Sequence, residues 1–218
     1  MMRVRVSHLE AYRRLVAEEY GDSADDLILD VQAWQKGWER SARNWKMDAG
    51  TAWHACLSNH PDAMCYGPEW GYGNYRFRSE DVYAAQAHQG PGFREVTARR
   101  VFETRRGPVE VKATCDHLWG RTVRDAKTKF GTPDAGAYDL SLQWRFYLLL
   151  FHADAFVYDL FAMRDPDDAG LCVLRETVSF RLWRYPDLER ECRSWLERFV
   201  DWADSHDLLS RTAAGATA

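Results

Sequence analysis

The sequence predicts an α/β fold in which helices flank a central mixed β-sheet. The first observation is a series of β-favouring runs in the middle of the chain, interrupted by one apolar helical segment. The second is the helical spacing of apolar residues at both ends of the chain. With 218 residues, 46% of them hydrophobic, the chain can bury a core as one domain. We therefore expect a single domain over residues 1–211 with its core at 93–183.

The N-terminal part, residues 1–60, is predicted to be helical. The predicted helices span residues 6–20, 30–45 and 49–58. Ser7 or Ser23 could cap neighbouring helices, because a serine side chain accepts a hydrogen bond from a free N–H of the first turn. The third helix carries His54.

Residues 61–92 differ from the rest of the chain in being rich in Gly, Pro and aromatic residues. This composition predicts an insertion or long loop, with a short helix near 80–87. The aromatic-glycine stretch at 66–76 could stack unpaired bases of a single strand. Packing on its own domain is the commoner role of such a loop.

The core is predicted to contain strands at residues 93–103, 109–118, 122–128, 155–163 and 171–183. A final helix is predicted over residues 186–206, with Pro186 in its first turn, where a missing N–H does no harm. The last residues, 212–218, are expected to form a flexible tail.

The second and third core strands are predicted to form a hairpin that brings two carboxylates together. A two-residue type II′ turn with Gly120 first would pair Trp119 with Thr122, and therefore Asp116 with Asp125. Facing residues have Cβ atoms roughly 4.5 to 5.5 Å apart, where like charges destabilise a sheet unless something compensates. Mg²⁺ or Mn²⁺, which prefer oxygen ligands, would compensate.

Lys127 lies two residues after Asp125, so both side chains are expected on one face of the strand. Its ammonium group could hold or polarise an attacking water and offset the charge that grows on a phosphate. This combination of carboxylates and a lysine is what phosphodiester hydrolysis requires. The alternative is that Asp116 and Asp125 are ordinary surface carboxylates and Lys127 a solvated strand residue.

The apolar segment at 139–151 is predicted to be a largely buried helix that Asp139 or Ser141 could cap. Gln143 and Tyr147 are four residues apart and share one helical face. They could hydrogen-bond a phosphate or brace the lysine; they could also merely satisfy one another in a buried interface.

The net charge of −4 argues against a protein that coats nucleic acid, because such binding rests largely on neutralising phosphates. Basic residues are nevertheless concentrated in the same third of the chain as the candidate site. They are Arg94, Arg99, Arg100, Arg105, Arg106, Lys112, Arg121, Arg124, Lys127 and Lys129. Glu95 lies among them, and a solvated position is the more expected one for it than a place at a metal.

The cysteine count is odd and the cysteines are scattered, and no signal peptide is recognisable. Reduced thiols in a cytoplasmic protein are therefore expected. No apolar run approaches the roughly 20 residues that span a bilayer, so no membrane association is expected.

Taken in order and spacing, these motifs resemble the PD-(D/E)xK nuclease superfamily, and within it the RecB-like branch that includes lambda-type and CRISPR-associated exonucleases. The matching residues are Asp116, Asp125-Ala126-Lys127 and Gln143 to Tyr147. In that branch a histidine within Gly-x-x-x-His supplies a further metal ligand, and Gly50 to His54 fits the pattern. A satisfied core histidine is the alternative for His54. The resemblance covers residues 45–162 closely.

The resemblance implies a restriction-endonuclease-like core and one or two Mg²⁺ or Mn²⁺ ions. It implies metal binding by His54, Asp116, Asp125 and the backbone carbonyl of Ala126. Lys127 would be the catalytic lysine, and Gln143 and Tyr147 the QxxxY element. Some relatives carry an iron–sulfur cluster on closely spaced cysteines; here Cys56, Cys65, Cys115, Cys172 and Cys192 are too spread for one, so no cluster is expected.

The function that the resemblance implies is a metal-dependent deoxyribonuclease, most simply an exonuclease acting on DNA ends in phage-type recombination or repair. DNA would be its partner, with a homo-oligomer and a recombination or single-strand-annealing protein as further partners. Two alternatives stay open: a structure-specific or restriction-like endonuclease, and a noncatalytic DNA-binding module that retains the fold. A small-molecule hydrolase is disfavoured, because no G-x-S-x-G or P-loop motif is present.

Overall fold

The computed structural model describes residues 1–18, 23–38, 44–132, 134 and 136–209. The expected tail at 212–218 lies outside the described residues. The described helices are α1 (Val6–Val16), α2 (Ala24–Gln35), α3 (Trp45–Leu57), α4 (Ser79–Gln89), α5 (Leu142–Leu150) and α6 (Leu188–Ser205). The described strands are β1 (Met2–Arg5), β2 (Met64–Cys65), β3 (Glu69–Tyr72), β4 (Tyr75–Arg78), β5 (Phe93–Thr104), β6 (Gly107–Trp119), β7 (Thr122–Phe130), β8 (Ala155–Met163), β9 (Leu171–Cys172) and β10 (Leu174–Trp183).

The central sheet is built around β6, which has neighbours along both edges. β5 pairs antiparallel with nearly all of β6, from residue 107 to 118. β1 and β7 pair with β6 over residues 109–112 and 117–119, so they share the edge opposite β5. β7 then pairs parallel with β8, and β8 antiparallel with β10. The sheet is therefore mixed, as the sequence predicts.

β8 lies at the centre of the core because both of its faces are covered. Each of its 9 residues is buried. On one face, α1, α5 and α6 pack around side chains such as Phe156 and Leu160. On the other, α3 and α4 pack around Phe161 and Met163. Helices on both faces are what a parallel pair such as β7 and β8 needs.

The outer face of β5 remains open to solvent beside α3. Along β5 the odd-numbered residues from 93 to 103 are exposed, while the even-numbered residues are less exposed. This alternation is expected of a strand with one solvated face. The described part of the chain contains no helix long and apolar enough to cross a membrane.

The long loop expected at 61–92 is wrong, because this segment contains β2, β3 and β4, but the short helix expected near 80–87 is confirmed as part of α4. These strands and β9 form a second, four-stranded sheet. Hairpin pairing of Tyr72 with Tyr75 around Gly73 makes the aromatic-glycine stretch a folded sheet. Its aromatic side chains, among them Trp70 and Tyr75, pack against the core under α3 and α4. Parallel pairing of β9 with β4, with Arg76 opposite Leu171 and Phe77 opposite Cys172, completes this sheet. Next to it, Arg76 Nε donates to the Ala169 carbonyl, 93 residues away in sequence.

The helix expected over 30–45 is also wrong. α2 begins earlier and ends at Gln35, and α3 begins at Trp45, while residues 39–43 lie outside the described part of the chain. Gly37 adopts a φ of +83°, which ends α2. Asn44 caps α3, its side chain accepting the N–H of Met47 at 3.0 Å.

Of the predicted caps, Ser23 caps α2 and Ser141 caps α5, each accepting a backbone N–H at 3.0 Å. Ser7 instead lies inside α1, because β1 runs directly into that helix. β1 was not predicted: its four residues are too few for a periodic pattern. Pro186 lies just before the N-cap Asp187 of α6 and not in the first turn.

Gly170 immediately precedes β9 of the small sheet, and its conformation explains why a glycine is there. Its φ is +79°, and an added Cβ would lie 2.2 Å from the carbonyl oxygen of Asn74. We expect Gly170→Ala to lower the free energy of unfolding by at least about 2 kcal/mol, through the strained φ and the clash with backbone. Denaturant unfolding measures this.

Gly73 is the matched control, because its φ is +58° but an added Cβ would meet nothing within 4 Å. Gly73→Ala should therefore cost only about 1 kcal/mol. Equal effects of the two substitutions would contradict the account of Gly170.

Candidate active site

β6 and β7 are paired next to the turn that connects them and diverge further from it; we call this arrangement the fork. The predicted pairing of Trp119 with Thr122 is confirmed, and Gly120 has the φ of +56° that the predicted type II′ turn needs. The ladder ends after His117 and Arg124. β1 pairs with residues 109–112 of the same edge, so residues 113–116 of β6 have no described strand beside them there.

The predicted pairing of Asp116 with Asp125 is wrong. The Asp116 carboxylate accepts the backbone N–H of Ala126 at 2.7 Å, so a side chain takes the place of a strand partner. The two strands diverge at this point, and both carboxylates lie at the mouth of the fork. The sequence could not reveal this, because turn geometry fixes only the pairs next to the turn.

The other side of Asp116 is irregular as well. β5 pairs with β6 through Arg94 and His117 and through Val96 and Cys115, but the Glu95 pair between them is missing. Glu95 adopts a φ of +53°, which is uncommon for a residue other than glycine. The irregularity directs Glu95 into the same cleft as Asp116.

The cleft has a volume of about 750 Å³ and lies between α3 and the open side of the fork. Among its lining residues are Glu95, Asp116, Ala126, Lys127 and, from α3, His54. Asp125 lies directly behind this wall and is only 3% exposed. The structure thus brings together the predicted residues of β6, β7 and α3. It adds Glu95, whose position depends on a φ angle that no sequence pattern reveals.

His54 and Asp116 form a pair across the cleft, with Nδ1 and Oδ2 3.4 Å apart. Burial opposes the charged form of His54, but the Asp116 carboxylate outweighs it and raises the histidine pKa. Burial likewise opposes ionisation of Asp116, but His54 and Lys127 together lower its pKa. Each group therefore stabilises the charged form of the other.

Asp125 contacts both Lys127 and Gln143. Its Oδ2 lies 2.6 Å from the Lys127 ammonium, and its Oδ1 accepts a hydrogen bond from Gln143 Nε2 at 2.7 Å. Burial raises the pKa of Asp125 to about 6, because Lys127 only partly offsets it and Asp116 adds to it. Burial opposes the charged form of Lys127, but Asp125 and Asp116 raise its pKa.

Gln143 and Tyr147 brace the fork from behind and do not contact Lys127. Tyr147 is buried, and its hydroxyl donates to the Thr114 carbonyl at 2.7 Å. The Thr114 carbonyl lies within residues 113–116 of β6, which have no described strand beside them on the edge opposite β5. The Tyr147 hydroxyl therefore supplies a hydrogen bond to a backbone carbonyl that no described strand pairs with. Gln143 orients Asp125 in the same way. The expectation that they brace Lys127 is therefore wrong, since they hold the strands and Asp125.

A buried ion pair holds the other side of β7. Arg124 donates two hydrogen bonds to Asp159 of β8, at 2.9 and 2.7 Å, and Asp159 is fully buried. Ser179 and His88 also contact this carboxylate. In the parallel register of β7 and β8, Asp159 lies beside Ala126, the residue between Asp125 and Lys127. The ion pair of Arg124 with Asp159 therefore fixes the position of β7 at the candidate site. No sequence pattern reveals Asp159, which lies inside an otherwise apolar strand with no motif around it.

The oxygen donors suit a hard divalent cation, since carboxylate and carbonyl oxygens are the ligands that Mg²⁺ and Mn²⁺ prefer. Glu95, Asp116 and Asp125 concentrate negative charge in one place, and burial together with Asp116 raises the pKa of Glu95. In the described ranges, no three His, Cys, Asp or Glu side chains stand as a ready set of metal ligands. The side chains are paired with one another instead, through His54 with Asp116 and Lys127 with Asp125.

Ionised Asp125 is expected to destabilise the metal-free fold. Its pKa is raised from 3.8 to about 6, so the folded state binds its proton more tightly and stability falls as pH rises between these values. In EDTA, Asp125→Asn should remove a pH-dependent loss on the order of 3 kcal/mol between pH 4 and pH 7. Denaturant unfolding at both pH values, compared with wild type, measures the difference.

Asp154→Asn is the control, because Asp154 is an exposed carboxylate bound to Arg121. It should leave the slope between pH 4 and pH 7 unchanged. An Asp125→Asn protein that loses stability with pH as steeply as wild type would refute the assignment.

More than nine-tenths of the chain is similar in fold to solved structures, two of which are named as exonucleases. No protein-family profile and no curated protein matches it. The protein SSO0001 is 14% identical with a TM-score of 0.54, over 93% of this chain and 77% of that one. A candidate exonuclease from Eubacterium rectale is 10% identical with a TM-score of 0.51, over 96% and 83%. A phage-related exonuclease from Haemophilus somnus 129PT is 14% identical with a TM-score of 0.50, over 94% and 96%.

The chain shares the α/β fold of these structures. At this level of identity the likeness concerns the fold alone, and it agrees with the predicted restriction-endonuclease-like α/β core. The shared part extends over more than nine-tenths of the chain.

Proposed function

We propose that this protein is a metal-dependent deoxyribonuclease. The observation that carries the proposal is the fork, where Asp116 and Lys127 line one cleft with His54 opposite them, and the buried Asp125 contacts Lys127 from behind the cleft wall. A fold gains nothing from gathering buried carboxylates, which destabilise one another without compensation. A divalent cation and a phosphodiester are the natural complement of this arrangement.

The residues that would hold one or two Mg²⁺ or Mn²⁺ ions are His54, Asp116, Asp125 and the backbone carbonyl of Ala126. Glu95 lines the same cleft and joins them as a further carboxylate. When bound, such an ion supplies a Lewis acid that favours deprotonation of water and offsets charge on the phosphate.

Lys127 orients the attacking water and stabilises the negative charge that grows on the phosphate oxygens. Water attacks phosphorus, the bond to the 3′ oxygen breaks, and the products carry a 5′ phosphate and a 3′ hydroxyl. Gln143 holds Asp125 in place, and Tyr147 holds the strand that carries Asp116. The two residues are thus positioning residues, separated from the cleft by the fork itself.

Within this class we propose an exonuclease that acts on DNA ends. The support is the similarity of fold to proteins named as exonucleases. A cytoplasmic role in phage-type recombination or repair, a homo-oligomer and an annealing partner protein belong to the same proposal. A restriction-like endonuclease and a noncatalytic DNA-binding module are the alternatives.

Digestion of end-labelled linear DNA beside covalently closed circular DNA separates these functions. Loss of the linear DNA alone, with Mg²⁺ or Mn²⁺ and not with EDTA, is the result expected of an exonuclease. Cutting of the circle would favour the endonuclease. Binding of both DNAs without hydrolysis in either metal would favour the noncatalytic module.

A further inference from the structure

Next to the fork, three cationic side chains face one another across three strands. Arg99 of β5 lies opposite Lys112 of β6, and Lys112 lies opposite Arg5 of β1. Like charges in directly opposite positions destabilise a sheet. We call this row, with the threonine pair described next, the basic strip.

The basic strip is continuous with the candidate active site. Between the cationic row and Asp116 lie Thr97 and Thr114, which are also opposite each other, with their hydroxyl oxygens 2.9 Å apart. Two residues along a strand span about 7 Å, so Lys112 lies roughly 13 Å from Asp116 along β6. A cavity of about 220 Å³ beside the strip is lined by Arg5, Lys112 and Thr114, and by the bracing Tyr147.

The fold compensates this charge only in part. Arg5 is paired with Asp30 at 3.2 Å. Arg99 lies 4.0 Å from Glu110, with 59% of its own side chain exposed, which is a weak surface pair. Lys112 lies over the ring of Trp34 at 5.1 Å, which leaves its ammonium available for hydrogen bonds. Within these described pairs, the three cationic side chains of the row therefore have two carboxylate partners, Asp30 and Glu110, although the net charge of the chain is −4.

We propose that the basic strip binds the phosphate backbone of a nucleic-acid strand whose scissile bond lies in the cleft. This inference rests on the proposed function and names the path of the substrate on the protein. A polyanion relieves the repulsion within the row, and the open face of β5 gives it access. The threonine hydroxyls between row and cleft offer neutral donors to the intervening phosphate.

The test is the salt dependence of binding by the double variant Arg99→Gln with Lys112→Gln. The probe is a fluorescein-labelled single-stranded DNA of about 20 nucleotides, longer than a typical single-strand site. Anisotropy titrations in EDTA give the association constant at several NaCl concentrations. Loss of two phosphate contacts should reduce the slope of log K against log salt by about 1.4, and weaken binding about 10-fold at low salt.

The matched control removes two exposed arginines elsewhere, by Arg175→Gln with Arg190→Gln, and should keep the wild-type slope. In Mg²⁺, the strip variant should raise KM for DNA hydrolysis with kcat unchanged, because it removes binding that substrate and transition state share. Binding with the expected change of slope but no hydrolysis by wild type would support the strip and refute the nuclease. Hydrolysis with an unchanged slope and KM would refute the strip alone. A wild type that neither binds nor cuts DNA would refute both.

Discussion

Replacing Lys127 with alanine is expected to reduce the rate of DNA hydrolysis by a factor on the order of 1,000. Lys127 lines the cleft, and its ammonium is 2.6 Å from Asp125. Its raised pKa keeps it cationic at any pH at which the enzyme would act. The substitution removes the ammonium group that this wall offers to offset charge on the phosphate. Initial rates with linear DNA in Mg²⁺ measure the loss.

Lys129→Ala is the matched control for this prediction. Lys129 lies two residues further along β7 and contacts the ring of Tyr138, with Nζ 5.0 Å from its centroid. Its replacement removes the same charge from the same strand but leaves the fork intact, so the rate should change less than about 3-fold. Equal losses in the two variants, with circular dichroism showing both folded, would mean that Lys127 acts only through general charge.

Replacing Asp116 with asparagine is expected to weaken Mn²⁺ binding at least about 100-fold and to abolish hydrolysis. Loss of a group that merely supports a metal ligand already weakens binding 10- to 100-fold, so loss of a charged ligand should do more. The asparagine side chain has the size of the aspartate and keeps an oxygen that can accept the Ala126 N–H, so the fork should survive. Calorimetric titration with Mn²⁺ measures the affinity.

Asp62→Asn serves as the control, because Asp62 is an exposed carboxylate beside a histidine, His60, as Asp116 is beside His54. Its variant should bind Mn²⁺ as wild type does. If the Asp116 variant also kept wild-type affinity, the metal site would have to lie elsewhere.

The sequence predicted the central strands well, because their patterns are local. The run from Ala155 to Met163 is apolar except for Asp159, and it is β8 from end to end. Turn chemistry at Gly120 predicted the pairing of Trp119 with Thr122. The same logic failed three rows further on, where the Asp116 side chain binds a backbone N–H and opens the fork. Such a contact depends on the three-dimensional packing of the chain and leaves no periodic pattern in the sequence.

The candidate site could be predicted as a set of residues but not as an arrangement. The order of Asp116, Asp125 and Lys127 carried the information, while the helix that presents His54 was placed correctly by its spacing. The sequence favours a solvated position for Glu95 over a place at a metal, and it gives no sign of Asp159. Glu95 reaches the cleft through a φ of +53°, and Asp159 is a single carboxylate in an apolar strand that only its partner Arg124 explains.

The small sheet shows a different limit. The glycine and aromatic residues at 61–92 predict a loop, yet β4 pairs with β9, which lies far away in sequence. Two-residue strands such as β2 and β9 are too short to produce an alternating pattern. Their pairing comes from tertiary packing under α3 and α4, which local propensity does not encode.

We propose that the fork between β6 and β7 is a metal-dependent phosphodiesterase site. Release of nucleotides from linear DNA by the wild-type protein, with Mg²⁺ or Mn²⁺ and again after addition of EDTA, tests this proposal. We expect 5′-phosphorylated products in either metal and none in EDTA. Products that form equally in EDTA, or no products in either metal while the protein is folded and binds Mn²⁺, would contradict it.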